Sequence, residues 1–204
     1  MSKQAGRFSE SANDFLAPKQ PTIGTATNVG TNQPYDNGSA TVAFTPDPTY
    51  AATSFTVTSS PGGFTGTGTT SPVTVSGLSS NTAYTFTVVA TNAVGSSPAS
   101  ASSNSVTITT VPATPADPVA TGQVNQDSVT WSAPSADGGS PITGYTLISS
   151  DGPTYDAGTA TSYTVPETAN TSQSYTVIAR NANGNSLASA ASNKIGRASC
   201  RERV

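Results

Sequence analysis

One stretch limits what this chain can become. From Ala83 to Thr91 the residues Tyr84, Phe86, Val88 and Ala90 alternate with Thr85, Thr87, Val89 and Thr91. A period of two puts the first set on one face and the second on the other, which predicts a β-strand with one buried face. Turn-forming residues bound it: Ser76, Gly77, Ser79, Ser80 and Asn81 before it, and Asn92 to Ser97 after it. A weaker copy lies between Asn170 and Gly184, where Tyr175-Thr176-Val177-Ile178-Ala179 has the same alternation.

Length and composition agree with a β protein. The 204 residues allow one or two domains. Only 9% are charged, which argues against a charge-rich disordered chain. Hydroxyl-rich strands separated by Gly and Pro turns point to an all-β architecture. Charge is uneven: Lys3, Arg7, Lys19, Arg197, Arg201 and Arg203 lie towards the ends, and between residues 21 and 194 only Arg180 and Lys194 are basic. That span carries Asp36, Asp47, Asp117, Asp127, Asp137, Asp151, Asp156 and Glu167. An acidic body has no footprint for phosphate, so nucleic acid is excluded as a main partner. No apolar run approaches membrane-spanning length. Met1 to Gln20 is polar, lacks the apolar core of a signal peptide, and reads as a flexible leader.

From Pro21 the strands begin. Pro21–Gly24, Ala40–Phe44, Ser54–Ser59, a short piece near Phe64, Pro72–Val75, the opening stretch and Ser103–Thr110 make about seven strands, the count of a small sandwich. In the last of these Val106 and Ile108 are expected to face inward. Val111-Pro112-Ala113-Thr114-Pro115 is a proline-stiffened linker. The pattern then repeats in Ser128–Trp131, Gly144–Leu147, Ser162–Val165 and Tyr175–Ala179. The expected domains are therefore residues 21–110 and 111–195, after a leader at 1–20.

Each repeat resembles a fibronectin type III domain. The features that carry the resemblance are an aromatic on the second strand (Phe44, Trp131), the Gly-Gly-Ser-Pro-Ile-Thr-Gly-Tyr run ending at Tyr145, and Gly77-Leu78 before the alternating strand. Asn92 and Gly95 close the signature. The resemblance implies two immunoglobulin-like antiparallel β-sandwiches in tandem. It also implies a corner at Tyr84, whose hydroxyl bonds the backbone upstream. Repeat two departs from the pattern, because Gln173 stands where repeat one has Tyr84 and there is no Gly-Leu. It is expected to be the less stable repeat.

The final residues, Ile195 to Val204, resemble a translated short-read sequencing adapter. Three Arg, one Glu and the only Cys fall within them. The bases preceding the adapter would complete a lysine codon, and residue 194 is lysine. Residues 196–204 are therefore expected to be an artefactual tail. Arg197 would then take the inward place of Ile108, and the last strand of repeat two would fray after Ile195, because burying an unpaired charge is costly.

Catalytic chemistry has little to work with. The chain has no His and one Cys, Cys200, so neither a Ser-His-Asp site, a Cys-His site, a Cys/His zinc site nor an intrachain disulfide is available. Asp151 and Asp156 flank a Gly-Pro turn and read as solvated loop carboxylates. The loop aspartates lack calcium-loop spacing, and Asp137-Gly138-Gly139 and Asp151-Gly152 are turn formers. Phe44, Tyr84, Trp131 and Tyr145 read as core; Tyr35, Tyr50, Tyr155 and Phe64 read as loop aromatics that could stack on sugar rings. Asn37-Gly38-Ser39 and Asn170-Thr171-Ser172 match the glycosylation sequon and read as turns.

The expectation is thus no enzyme, no catalytic or metal-binding residues and no cofactor, with any binding residues unknown. The uncharged Ser/Thr/Gly-rich repeats resemble those on structural proteins of tailed bacteriophages. That implies a fragment of a virion protein, from the tail or decorating the capsid, exposed on the virion surface. There it would be a spacer or weak binder of host glycans, with other virion or cell-surface proteins as partners and no membrane insertion. The alternative is an extracellular accessory region of a secreted bacterial enzyme or adhesin.

Overall fold

The computed structural model describes residues 16–123, 126–166 and 172–195. Among them there is no helix. Fourteen strands form four antiparallel sheets, and the chain divides into two compact units. Unit 1 takes residues 16–28, 39–77 and 83–106; unit 2 takes the rest of the described residues, including the segments 29–38 and 78–82.

Unit 1 holds two sheets. One has the order β1 (Thr22–Asn28), β2 (Gly38–Thr45), β5 (Val73–Leu78). The other has the order β4 (Thr65–Gly68), β3 (Ser54–Ser60), β6 (Ala83–Thr91), β7 (Val106–Thr107). The alternation seen in the sequence becomes burial: Tyr84, Phe86, Val88 and Ala90 are buried, and the residues between them face out. Val42, Phe44, Phe55, Val57, Val73 and Val75 complete the core. Phe44 and Phe55 meet with ring centroids 4.8 Å apart. The sandwich closes at one side by backbone on backbone. A Cβ on Gly66 would stand 2.1 Å from the carbonyl oxygen of Thr74, so only glycine fits there.

Unit 2 repeats the plan. One sheet is β12 (Ser162–Pro166), β9 (Gln126–Thr130), β8 (Val119–Gln123). The other is β11 (Thr154–Gly158), β10 (Gly144–Ser149), β13 (Tyr175–Asn181), β14 (Gly184–Asn185). Val129, Trp131, Tyr145, Leu147, Val165, Tyr175, Val177 and Ala179 form its core. Trp131 packs edge-on against Tyr145 at 5.8 Å. Where unit 1 has Gly66 opposite Val57, unit 2 has Tyr155 opposite Leu147. Tyr155 meets Tyr163 of β12 with the ring centroids 5.4 Å apart and the planes tilted by 34°.

The last edge of each unit is not the strand read from the sequence. Only Val106–Thr107 is strand within Ser103–Thr110; Ile108 is fully buried, and Val106 only partly. The edge is made upstream instead, by serines three residues apart. Ser97, Ser100 and Ser103 donate their N–H groups to the carbonyls of Ala90, Val88 and Phe86. Their Oγ atoms accept from the N–H groups of the same three residues at 2.9–3.0 Å. Each hydroxyl then donates to the carbonyl of the next residue, Pro98, Ala101 or Asn104. Asn104 finishes the ladder by exchanging two hydrogen bonds with the backbone of Ala26.

Unit 2 has the same device. Ser186, Ser189 and Ser192 serve Ala179, Val177 and Tyr175, and Asn193 exchanges bonds with Ala120. A serine has one donor and two acceptor sites. Presented every third residue, it satisfies the alternate N–H and C=O groups along the edge of β6 and β13 that is not paired with β3 or β10. Ile195 and Gln173 bond each other's backbones at 2.9 Å. The fraying read beyond Ile195, and the tail at 196–204, lie outside the described residues. Of the leader read at 1–20, Leu16–Gln20 are described; Asn92 Nδ2 donates to the carbonyl of Leu16, and Pro18 is buried.

Candidate functional site

The carboxylates flanking the Gly-Pro turn are not a pair of loop residues. Asp156 is on β11, not in a loop, because Thr154–Gly158 pairs with β10. Its side chain lies 3.6 Å from Arg180 and stays exposed. Asp151 is in the turn after β10 and accepts from Gln173 Nε2 at 2.8 Å. Asp137 caps its own turn by accepting from the Gly139 N–H. Among the described residues no group of three or more His, Cys, Asp or Glu is placed to hold a metal ion.

A polar cluster that the sequence reading missed lies inside unit 2. Asp127, on β9, is 1% exposed, and its Oδ2 accepts from the Tyr175 hydroxyl at 2.7 Å. Tyr175 OH is also 2.9 Å from Gln173 Oε1, and Ser149 Oγ is 3.5 Å from the same oxygen. The Asp127 Oδ1 and Trp131 Nε1 atoms have no hydrogen-bond partner among the described residues. Burial, and then the bond to Asp127, hold the Tyr175 hydroxyl far above the ordinary tyrosine range. A signal was present: Asp127 falls two residues before Val129, on the inward phase of its strand. Asn181 is a second buried polar group, with Nδ2 donating to the carbonyls of Thr110 and Asp137.

The aromatics divide as follows. Phe44, Tyr84, Trp131 and Tyr145 are buried. Burial also raises the Tyr145 hydroxyl above its ordinary value. Tyr35 is the most exposed, Tyr50 lies under the Lys19 ammonium at 5.6 Å, and Phe64 meets Tyr84 edge-on at 6.1 Å. Tyr155 is on a strand, its ionisation disfavoured by burial and then by Asp151. Tyr50 and Phe64 fall in unit 1, and Tyr35 and Tyr155 in unit 2. Of the sequons, Asn37 is exposed while Ser39 is buried; Asn170 and Thr171 lie outside the described residues.

The outward faces of the two larger sheets differ. In unit 1 the outward residues of β3, β4 and β6 are Thr and Ser with Ala83 and Val89. In unit 2 the corresponding residues include Ile148, Ile178, Asp156 and Arg180.

Residues 25–106 match the family model described as fibronectin type III domain, a non-catalytic binding and structural module. No curated protein matches the chain. Among solved structures it is similar to "Titin kinase and its flanking domains", with 29% identity, a TM-score of 0.38, and coverage of 42% of this chain and 17% of that one. It is similar to "Crystal structure of chicken CNTN1 FN1-FN3 domains" at 17% identity and a TM-score of 0.43, covering 88% and 68%. It is also similar to "Crystal structure of domains A168-A170 from titin" at 21% identity and a TM-score of 0.44, covering 88% and 61%.

Proposed function

We propose that this chain is a non-catalytic structural or adhesion region of a tailed-bacteriophage virion, from the tail or the capsid surface. Its sandwiches act as spacers or weak binders of host-surface glycans, with other virion proteins as neighbours. The observation that supports this reading best is where the buried polar groups are used. Ser97, Ser100, Ser186, Ser189, Ser192 and Asn181 are all engaged with the chain's own backbone. Their chemistry holds strands rather than presenting groups to a substrate. The family matched at residues 25–106 supports the non-catalytic part.

A long sequencing read through the locus tests the reading. Capsid, portal or tail genes alongside, with further β-sandwich repeats in frame, are the expected result. A hydrolase domain in the same frame, or export genes nearby, would replace it with the accessory region of a secreted enzyme or adhesin.

A further inference from the structure

The outer face of the β4-β3-β6 sheet in unit 1 is a grid. Directly opposed residues of an antiparallel pair project to the same side. Thr58 stands between Thr65 and Thr87, and Thr56 stands between Thr67 and Val89. Ser60 is opposite Thr85, and Ser54 is opposite Thr91. Neighbouring strands lie about 4.8 Å apart and alternate residues about 6.8 Å apart along a strand. Hydroxyls and methyls therefore fall in ranks that run across the strands. Thr65 and Thr67 are exposed, and Thr56, Thr58, Thr85 and Thr87 are half-buried among their neighbours. From Pro48 to Ala116 the chain contains no Asp, Glu, Lys or Arg.

Unit 2 supplies the contrast. At the same register Ile148 stands between Thr154 and Thr176, and Thr146 between Asp156 and Ile178. Ile178 matches Val89, but Ile148 stands where unit 1 has Thr58, and Asp156, paired with Arg180, where it has Thr67; these two interrupt the ranks. Threonine suits an exposed strand for its own sake. That preference applies equally to both units and does not account for a complete uncharged grid in one of them.

We infer that this face of unit 1 is the docking face for a neutral, extended polysaccharide lying across the strands. The inference rests on the glycan-binding reading above and names the face and the glycan class. Each threonine hydroxyl both donates and accepts, as a sugar hydroxyl requires. The methyl beside it meets the C–H face of the ring. The spacing within a rank, from one strand to the next, is close to the length of one residue in an extended β-linked chain, so successive sugars meet successive strands. The face carries no countercharge for an acidic glycan, and this commits the partner to a neutral one.

The test is affinity electrophoresis of the whole chain through gels containing hydroxyethyl cellulose or alginate, with mobility taken relative to a polymer-free gel. Retardation by hydroxyethyl cellulose and none by alginate is expected. Thr67→Asp and Thr58→Ile, which place unit 2's residues on two different strands of unit 1, are each expected to abolish it with the melting curve unchanged. Asp156→Asn in unit 2 is expected to leave it intact. Retardation that survives both threonine substitutions, or that occurs in alginate alone, would overturn this face while leaving glycan binding in place. Retardation in neither gel would remove glycan binding and the face together, leaving the spacer role.

Discussion

Two residues before Val42, unit 1 has Ala40; two residues before Val129, unit 2 has Asp127. The positions correspond, because Val42 is opposite Ala26 and Val129 is opposite Ala120, and Ala26 and Ala120 each receive the closing asparagine of a serine ladder. The same ladder register equates Phe86 with Tyr175. Unit 1 thus fills with alanine and phenylalanine the places where unit 2 has a carboxylate and a phenol, 2.7 Å apart. All four residues are buried. A hydroxyl added to a core aromatic needs an acceptor, and a carboxyl added to a core needs a donor. Each change is costly alone and tolerable with the other. The backbone plan survives the exchange because the strand edges are held by serines that the exchange does not touch.

The largest expected effect comes from splitting this pair. Tyr175→Phe leaves Asp127 without its donor and should destabilise unit 2 by about 3 kcal/mol. Trp131, the chain's one tryptophan, reports it by fluorescence in a denaturant titration. Adding Asp127→Ala reproduces unit 1's solution and should recover most of the loss; simple additivity of the two changes would show that they are not coupled.

Next comes the closed side of each sandwich. Gly66→Ala forces a Cβ onto the carbonyl of Thr74 and should cost unit 1 about 2 kcal/mol. Calorimetry should show one of two transitions move while the Trp131 signal stays where it was. If both move together, the units do not unfold independently.

Ser100→Ala in unit 1 and Ser189→Ala in unit 2 remove equivalent rungs, leaving the N–H groups of Val88 and Val177 unsatisfied. A loss of about 1.5 kcal/mol is expected from each. Equal losses would show that the ladder does the same work in both units, whatever lies in the core.

The smallest effect is one of pH. The folded state holds the Tyr175 hydroxyl above its ordinary value, so its contribution is complete below about pH 10 and is lost as pH rises further. Between pH 10 and pH 11 unit 2 should lose about 1 kcal/mol. Phe86 gives unit 1 no such loss, and a Tyr175→Phe variant should reduce the difference in alkaline sensitivity, leaving the part that Tyr145 and Tyr155 supply.

These contrasts also explain what was legible beforehand. Tyr84 to Ala90, Val42 with Phe44, and Phe55 with Val57 could be read directly, because large apolar side chains at a period of two leave little choice. β8 was missed because only Ala120 of its five residues is buried, which gives no alternation to detect. The ladders escape the reading, which puts Ser97 in a turn and Ser103 in the last strand, since small polar residues three apart match neither the strand nor the helix period. Their repeated spacing, Ser97-Ser100-Ser103-Asn104 and Ser186-Ser189-Ser192-Asn193, was nevertheless present in the sequence. Asp127 was visible as a charge but not as a core residue, because its partner lies 48 residues away. The threonine grid was hidden because opposition across strands depends on register, and a single strand does not reveal it.

A β-domain with so few charges has little electrostatic repulsion to keep neighbouring copies from pairing edge to edge, the usual route to fibres. The serine ladder supplies a different safeguard. By bonding the alternate N–H and C=O groups along β6 and β13, it leaves an incoming strand none of them to pair with. Crowded copies of this chain would thus meet at that edge backbone groups already engaged, a safeguard that does without the lysines and glutamates other proteins place there.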